Sequence, residues 1–94
     1  MSDIDAILKE RGEKYGKFED HARVTISLKD VIAKRLIGRG MCIEDDQQEA
    51  LHMICHKLGR IVNGDPDYAD SWRDIAGYAT LVADRLDALP KEVK

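Results

Sequence analysis

The chain has 94 residues, of which 44% are hydrophobic and 35% are charged, and its formal net charge is −3. This length fits a single domain, residues 1–94, and the apolar fraction excludes a disordered chain. The 15 basic and 18 acidic residues include no basic block, which argues against nucleic acid as a partner. No run of 18 apolar residues and no signal peptide is present, so we expect a cytoplasmic protein without membrane contact.

The spacing of the apolar residues predicts four helices and no strand, hence an all-α, four-helix bundle. The predicted helices cover residues 2–11, 19–37, 45–62 and 66–89. Ser2 is the predicted N-cap of the first helix and Gly12 its predicted stop, while Gly38 and Gly40 end the second. The tail Lys91–Lys94 is expected to fray.

The third and fourth helices form an antiparallel hairpin, because only a tight turn separates them. Asn63 and Gly64 can take the left-handed conformation that ends the third helix. Asp65 is the predicted N-cap of the fourth helix and Pro66 its first residue. The hairpin brings the basic end of the third helix near the acidic start of the fourth.

The fourth helix is predicted to carry an acidic face made of Asp67, Asp70 and Asp74. At about 100° per residue these three carboxylates lie within roughly 60° of one another. They suit a hard cation such as Mg²⁺. The alternative is a solvated face that favours the positive end of the helix, although Tyr78 continues the face and suggests a site or an interface. A separate apolar stripe should form the packing face of this helix: Trp72, Ile75, Ala76, Ala79, Val82, Ala83 and Leu86.

The third helix carries two further candidate clusters. Lys57 and Arg60, at i and i+3, could hold phosphate oxygens, or they could pair with the aspartates across the hairpin. Glu49, His52 and His56 share a face with the spacing of transition-metal ligands, but no HExxH motif is present and such pairs also occur by chance on exposed helices.

The glycine-flanked loop after the first helix is the last candidate. Arg11, Tyr15, Lys17 and His21 surround it. Such a loop could cover a nucleotide by stacking on a base and touching phosphate, or it could simply pack through Tyr15 and Phe18. Cys42 in a loop and Cys55 in an apolar stripe lack the surroundings of an activated nucleophile.

Two segments resemble a family of small, uncharacterised phage and prophage proteins. They are residues 10–21, which read ERGEKYGKFEDH, and residues 56–78, which include NGDPDYADSWRDIAGY. The resemblance spans almost the whole chain, and it implies the cytoplasm of a bacterial host as the location. It implies no activity.

A more distant resemblance is to the all-α nucleoside-triphosphate pyrophosphohydrolases of the MazG type. Asp70 to Tyr78 looks like their second metal-binding motif, although with DxxxD spacing. The first motif departs from the pattern, since the third helix offers Glu44 and Glu49 but has His52 where a second glutamate would stand. The resemblance implies a MazG-like bundle, homo-oligomers, Mg²⁺ and a nucleotide substrate.

The leading hypothesis is therefore a nucleotide-handling protein, either a Mg²⁺-dependent pyrophosphohydrolase or a non-catalytic binder of a nucleotide or a nucleotide-derived molecule. Its metal ligands would be Asp70, Asp74, Asp67 and Glu49. Its ligand-binding residues would be Lys57, Arg60, Arg11, Tyr15, His21 and Tyr78. The alternative is a non-enzymatic, oligomeric helical module that binds another protein through the acidic face.

Overall fold

The structure is a computed structural model that describes residues 3–90. Its regular elements are α1 (Asp3–Tyr15), α2 (Phe18–Gly38), α3 (Asp45–Asn63) and α4 (Ala69–Asp87). No strand occurs in residues 3–90, so the predicted all-α, four-helix class is confirmed. The predicted cap at Ser2 and the tail Lys91–Lys94 lie outside this range.

Helix α1 is longer than predicted, because it continues through Gly12 to Tyr15. A glycine inside a helix costs only about 1 kcal/mol. The ion pair between Glu10 and Lys14, at 3.0 Å, spans the glycine and supports the extra turn. The helix ends at Gly16, whose φ of 79° suits glycine.

Helices α2 and α3 begin and end within one residue of the predicted bounds. Gly40, with a φ of 60°, turns the chain after α2. Glu44 then starts α3 with a capping box, in which its side chain accepts the Gln47 N–H and the Gln47 side chain accepts the Glu44 N–H. Local sequence therefore determines the end of α2 and the start of α3.

Helix α4 begins at Ala69 and not at the predicted Pro66. The Asp65 carboxylate accepts the N–H of Asp67 at 2.9 Å, so Asp65 stabilises a turn and does not cap the helix. Gly64 has a φ of −122°, so the predicted left-handed turn is also wrong. The reason is tertiary: the Asp65 N–H donates to the Lys14 carbonyl at 2.7 Å, which ties the α3–α4 connection to α1.

The helices form an open bundle in which α3 is central. It contacts each of the other helices, whereas α2 and α4 do not contact each other anywhere in the described chain. The antiparallel hairpin is confirmed by ion pairs at its two ends, Lys57 with Asp74 and Arg85 with Asp46. Helices α2, α3 and α4 therefore form a single layer, with α1 packed at one end.

The face that α4 turns toward α3 differs from the predicted apolar stripe. The α4 residues that lose most exposure follow a mixed pattern: Ser71, Ile75, Tyr78, Val82 and Arg85. Trp72, a member of the predicted stripe, is 53% exposed, and its indole N–H donates to the Pro66 carbonyl. Most residues of the predicted stripe thus lie next to the side of α4 that contacts α3, and not on that side.

The core is small for a folded chain. Among residues 3–90 the buried apolar side chains are Ala50, Cys55 and Ile61, all on α3. The molecule measures 63 × 28 × 24 Å. None of the helices in residues 3–90 has the length and apolar character needed to cross a membrane.

Candidate functional site

The α1–α2 connection packs directly on the α3–α4 connection. Gly16 approaches the Asn63 backbone so closely that a Cβ atom at residue 16 would overlap the Asn63 carbonyl. A Cβ on Gly64 would likewise overlap the backbone of Lys14 and Tyr15. The two glycine-containing segments singled out in the sequence are therefore in contact.

This packing encloses a pocket between α1, the start of α2 and the end of α3. Its volume is about 430 Å³, which is within the range of small-molecule sites. We call it the α1–α2 pocket. Its lining residues are Leu8, Arg11, Gly12, Tyr15, Gly16, Lys17, Phe18, His21, His56 and Arg60.

The pocket is positively charged although the chain as a whole is acidic. Arg11, Lys17 and Arg60 contribute to its wall, and none of its described lining residues is a carboxylate. The Arg60 guanidinium lies over the Tyr15 ring, 4.1 Å from its centroid, in a cation–π contact that orients it. Guanidinium groups without a carboxylate partner are suited to bind an anion.

Aromatic rings complete the wall. Tyr15 is held edge-on against Tyr68, with 6.0 Å between centroids. Phe18 is 79% exposed, although an aromatic side chain of this size is normally buried. The exposed Phe18 ring leaves a surface on which a planar ring of a ligand could stack.

Two histidines lie together in the wall of the pocket. His21 Nε2 and His56 Nδ1 are 3.1 Å apart, so one nitrogen donates to the other, and Thr25 Oγ1 lies 3.4 Å from the same His21 nitrogen. Burial and the positive charge of Arg60 lower the pKa of both rings, that of His56 to about 4. At neutral pH the pair is uncharged, and it presents hydrogen-bonding groups without adding charge.

The predicted metal ligands are not gathered into one site. Asp67 precedes α4 and so does not share a helical face with Asp70 and Asp74 as predicted. Asp70 accepts from the Tyr68 hydroxyl at 3.1 Å and from Arg73 at 3.0 Å, while Asp74 pairs with Lys57 at 3.0 Å. Glu49 is exposed on α3. Nowhere in residues 3–90 do three or more His, Cys, Asp or Glu side chains group as metal ligands would.

The predicted ligand-binding residues divide into two groups. Arg11, Tyr15, His21 and Arg60 line the α1–α2 pocket, whereas Lys57 and Tyr78 do not. Lys57 is buried and forms the predicted ion pair across the hairpin. Tyr78 is half-buried on α4.

Two other candidates of the third helix are His56 and Cys55. His56 pairs with His21, and in residues 3–90 it does not group with Glu49 and His52 as the ligands of a transition-metal site would. Cys55 is buried, and burial raises the pKa of its thiol, which fits an unreactive cysteine.

Part of the pocket does not follow from the predicted first helix, because that helix ends at Gly12. Leu8, Arg11 and Tyr15 stand at i, i+3 and i+7 and therefore share one face of α1. This spacing is the sequence signal for a shared helical face. It applies only if the predicted helix continues through Gly12.

In the comparison with protein families, residues 3–86 match the model of a domain of unknown function, DUF6378. The chain belongs to this family, which agrees with the expectation of an uncharacterised family. No match was found among curated proteins. None was found among solved structures.

Proposed function

We propose that this member of the DUF6378 family is a nucleotide-binding protein and that the α1–α2 pocket is its binding site. The observation that carries the proposal is the convergence of three cationic side chains, exposed aromatic surface and a neutral histidine pair in one concave site. Nucleotides combine an anionic phosphate with a planar ring, and each part has a counterpart in this wall.

Within this proposal the phosphate binds to Arg11 and Lys17, with Arg60 as the third cation. Arg60 already stacks on Tyr15, so its position is defined before a ligand arrives and little side-chain entropy is lost on binding. Phe18 offers the stacking surface for the base. The His21–His56 pair supplies hydrogen bonds to either part of the ligand.

We further propose that binding needs no metal ion. The cations of the pocket can neutralise a phosphate directly, and none of the predicted magnesium ligands lines the pocket. The competing hypothesis is pyrophosphate release of the MazG type, with Mg²⁺ held by Asp70, Asp74, Asp67 and Glu49. A phage or prophage origin and a cytoplasmic location belong to the same hypothesis and stay predictions.

A thermal-shift screen tests the proposal. The ligands are nucleoside mono-, di- and triphosphates and cyclic dinucleotides, each with Mg²⁺ and with EDTA. Because a ligand that binds only the folded chain raises apparent stability, we expect one ligand class to raise Tm equally in both conditions.

Variants then locate the site. Arg11→Gln and Phe18→Leu should each weaken binding by about tenfold or more, in line with the loss of one charged hydrogen bond or one stacked ring. Arg39→Gln is the matched control, because Arg39 is exposed in the α2–α3 connection and does not line the pocket. A Tm shift that requires Mg²⁺ and is unaffected by Arg11→Gln would favour the acidic site instead. No shift with any nucleotide would contradict the proposal.

A further inference from the structure

The single helical layer leaves one side of α3 without cover. Helices α2 and α4 flank α3 without contacting each other, and among the described residues only Ala50, Cys55 and Ile61 are buried apolar side chains. Domains are normally built from two packed layers, because an amphipathic helix must bury its apolar stripe. A second layer is therefore missing from the single chain.

The open side is apolar across both α3 and α4. On α3, four apolar residues follow helical spacing: Leu51, Ile54, Leu58 and Val62. They lie between the side of α3 that contacts α4 and the side that contacts α2. Residues of both helices line a shared groove of about 370 Å³, in which Leu51 and Ile54 face Ala79 and Val82.

Trp72 and Leu86 extend this surface along α4, since each lies seven residues from Ala79, about two turns away. Val62 is 66% exposed, Trp72 53% and Leu86 43%. We call this surface the α3/α4 face. Its members carry no charge: Leu51, Ile54, Leu58, Val62, Trp72, Ala79, Val82 and Leu86. Depletion of charge is typical of the core of a permanent interface.

The exposed area indicates how large the missing contact is. The chain exposes 7376 Å², whereas a compact monomer of this mass exposes about 5,500 Å². Its radius of gyration of 16.6 Å exceeds the roughly 12 Å expected for this length. Covering all of this difference on two copies would bury at most about 3,800 Å² in total, and obligate homodimers bury roughly 2,000–5,000 Å².

We infer that a second copy of this chain covers the α3/α4 face, so that two layers form one two-fold symmetric body. A monomer with so small a core is only marginally stable, so the molecule that covers the α3/α4 face must be present whenever the chain is folded. An identical chain meets that requirement, because it is made together with the first. A two-fold interface also places the same apolar surface on both sides of the contact.

Sedimentation or light scattering of the full chain tests the inference. We expect twice the 10.6 kDa mass of one chain at micromolar concentration. Val62→Lys combined with Leu86→Lys should raise the dissociation constant at least tenfold or abolish folding. Leu81→Lys is the matched control, because Leu81 is 68% exposed on the same helix but on a side away from the α3/α4 face. It should remain a folded dimer.

Trp72 gives a second readout, because it is the single tryptophan of the chain. Its emission should shift to shorter wavelength as the wild-type chain is concentrated through the dimer transition, and not in the double variant. A wild-type chain that stays monomeric and unfolds cooperatively at a concentration-independent Tm would overturn the inference. A dimer weakened by Leu81→Lys and unaffected by the double variant would overturn it too.

Discussion

Gly59 allows α2 and α3 to approach closely beside the histidine pair. The residue is buried, and a Cβ atom there would lie 2.5 Å from Thr25 Oγ1 and 2.8 Å from His21 Nδ1. Neither neighbour can move freely, because both are buried and each is in contact with the other. The spacing of the two helices at this point depends on the missing side chain.

We therefore predict that Gly59→Ala lowers the free energy of unfolding by about 1–3 kcal/mol through overpacking. Gly77→Ala is the matched control, because Gly77 lies inside α4 with nothing within 4 Å of the added atom. It should raise stability by about 0.5–1 kcal/mol, since alanine is the better helix former. Urea unfolding at one protein concentration measures both. Equal effects of the two substitutions would contradict the close packing at Gly59.

At the scale of elements, α1 is held by backbone contacts with the α3–α4 connection. The Asp65 N–H donates to the Lys14 carbonyl at 2.7 Å, and Gly64 packs on the Tyr15 backbone. Helix α1 itself has no buried residue among those described. We therefore expect this contact between connections to fix the position of α1, which supplies four of the ten residues that line the pocket.

Gly64→Ala should release α1, because the added Cβ has no room against the Lys14 carbonyl. Hydrogen exchange should become at least tenfold faster in α1, while the amides in the middle of α3 keep their protection. Gly38→Ala is the control, since a Cβ there meets nothing within 4 Å. If α1 stays protected in Gly64→Ala, this backbone contact is not what holds it.

The same contact explains which helix ends could be predicted from sequence. The start of α3 follows from the Glu44–Gln47 capping box, and the end of α2 from its terminal glycines, so local residues suffice there. The α3–α4 connection, after which α4 starts later than predicted, is tied to α1 by a hydrogen bond between Asp65 and Lys14, which are far apart in sequence. Local propensity cannot report such a bond.

For the site, the sequence identified the residue types but not which of them meet. The sequence places Arg11, Tyr15 and His21 around one loop, because they are close along the chain, and all three line the α1–α2 pocket. Helical spacing instead pairs Arg60 with Lys57. The structure separates them, because Lys57 points to Asp74 while Arg60 lies over Tyr15.

The whole molecule presents two chemically different surfaces. The α1–α2 pocket concentrates positive charge in a chain of net charge −3, and the α3/α4 face is apolar and uncharged. Both surfaces use α3, which supplies Arg60 and His56 to the pocket and Leu51 and Ile54 to the face. Since α3 also carries the core, protonation of His56, its half-buried histidine in the pocket wall, should affect the stability of the entire fold.

The stability of the whole chain should therefore fall as the pH is lowered from 6.5 toward 4. The pKa of His56 is about 4 in the folded chain, against 6.5 for an ordinary histidine, and that of His21 is also lowered. The cationic neighbours that oppose protonation of His56 are Arg60, Lys57 and Lys29. Between these pH values the unfolded chain binds more protons than the folded chain, so the free energy of unfolding decreases as pH falls. The pKa of Asp46, lowered by Arg85, becomes relevant only at more acidic pH.

We expect the loss to be about 1–2 kcal/mol at pH 5 relative to pH 7.5, measured by urea unfolding at one protein concentration. His56→Asn should remove most of this dependence, because the asparagine side chain does not titrate in this range. His52→Asn is the matched control, since His52 lies on the same helix but is not part of the pair. If the pH dependence persists in His56→Asn and disappears in His52→Asn, the neutral His21–His56 pair is not its source. A result in the expected direction would show that the fold favours uncharged imidazoles beside Arg60, so an anionic ligand there would draw a proton onto the pair as it binds.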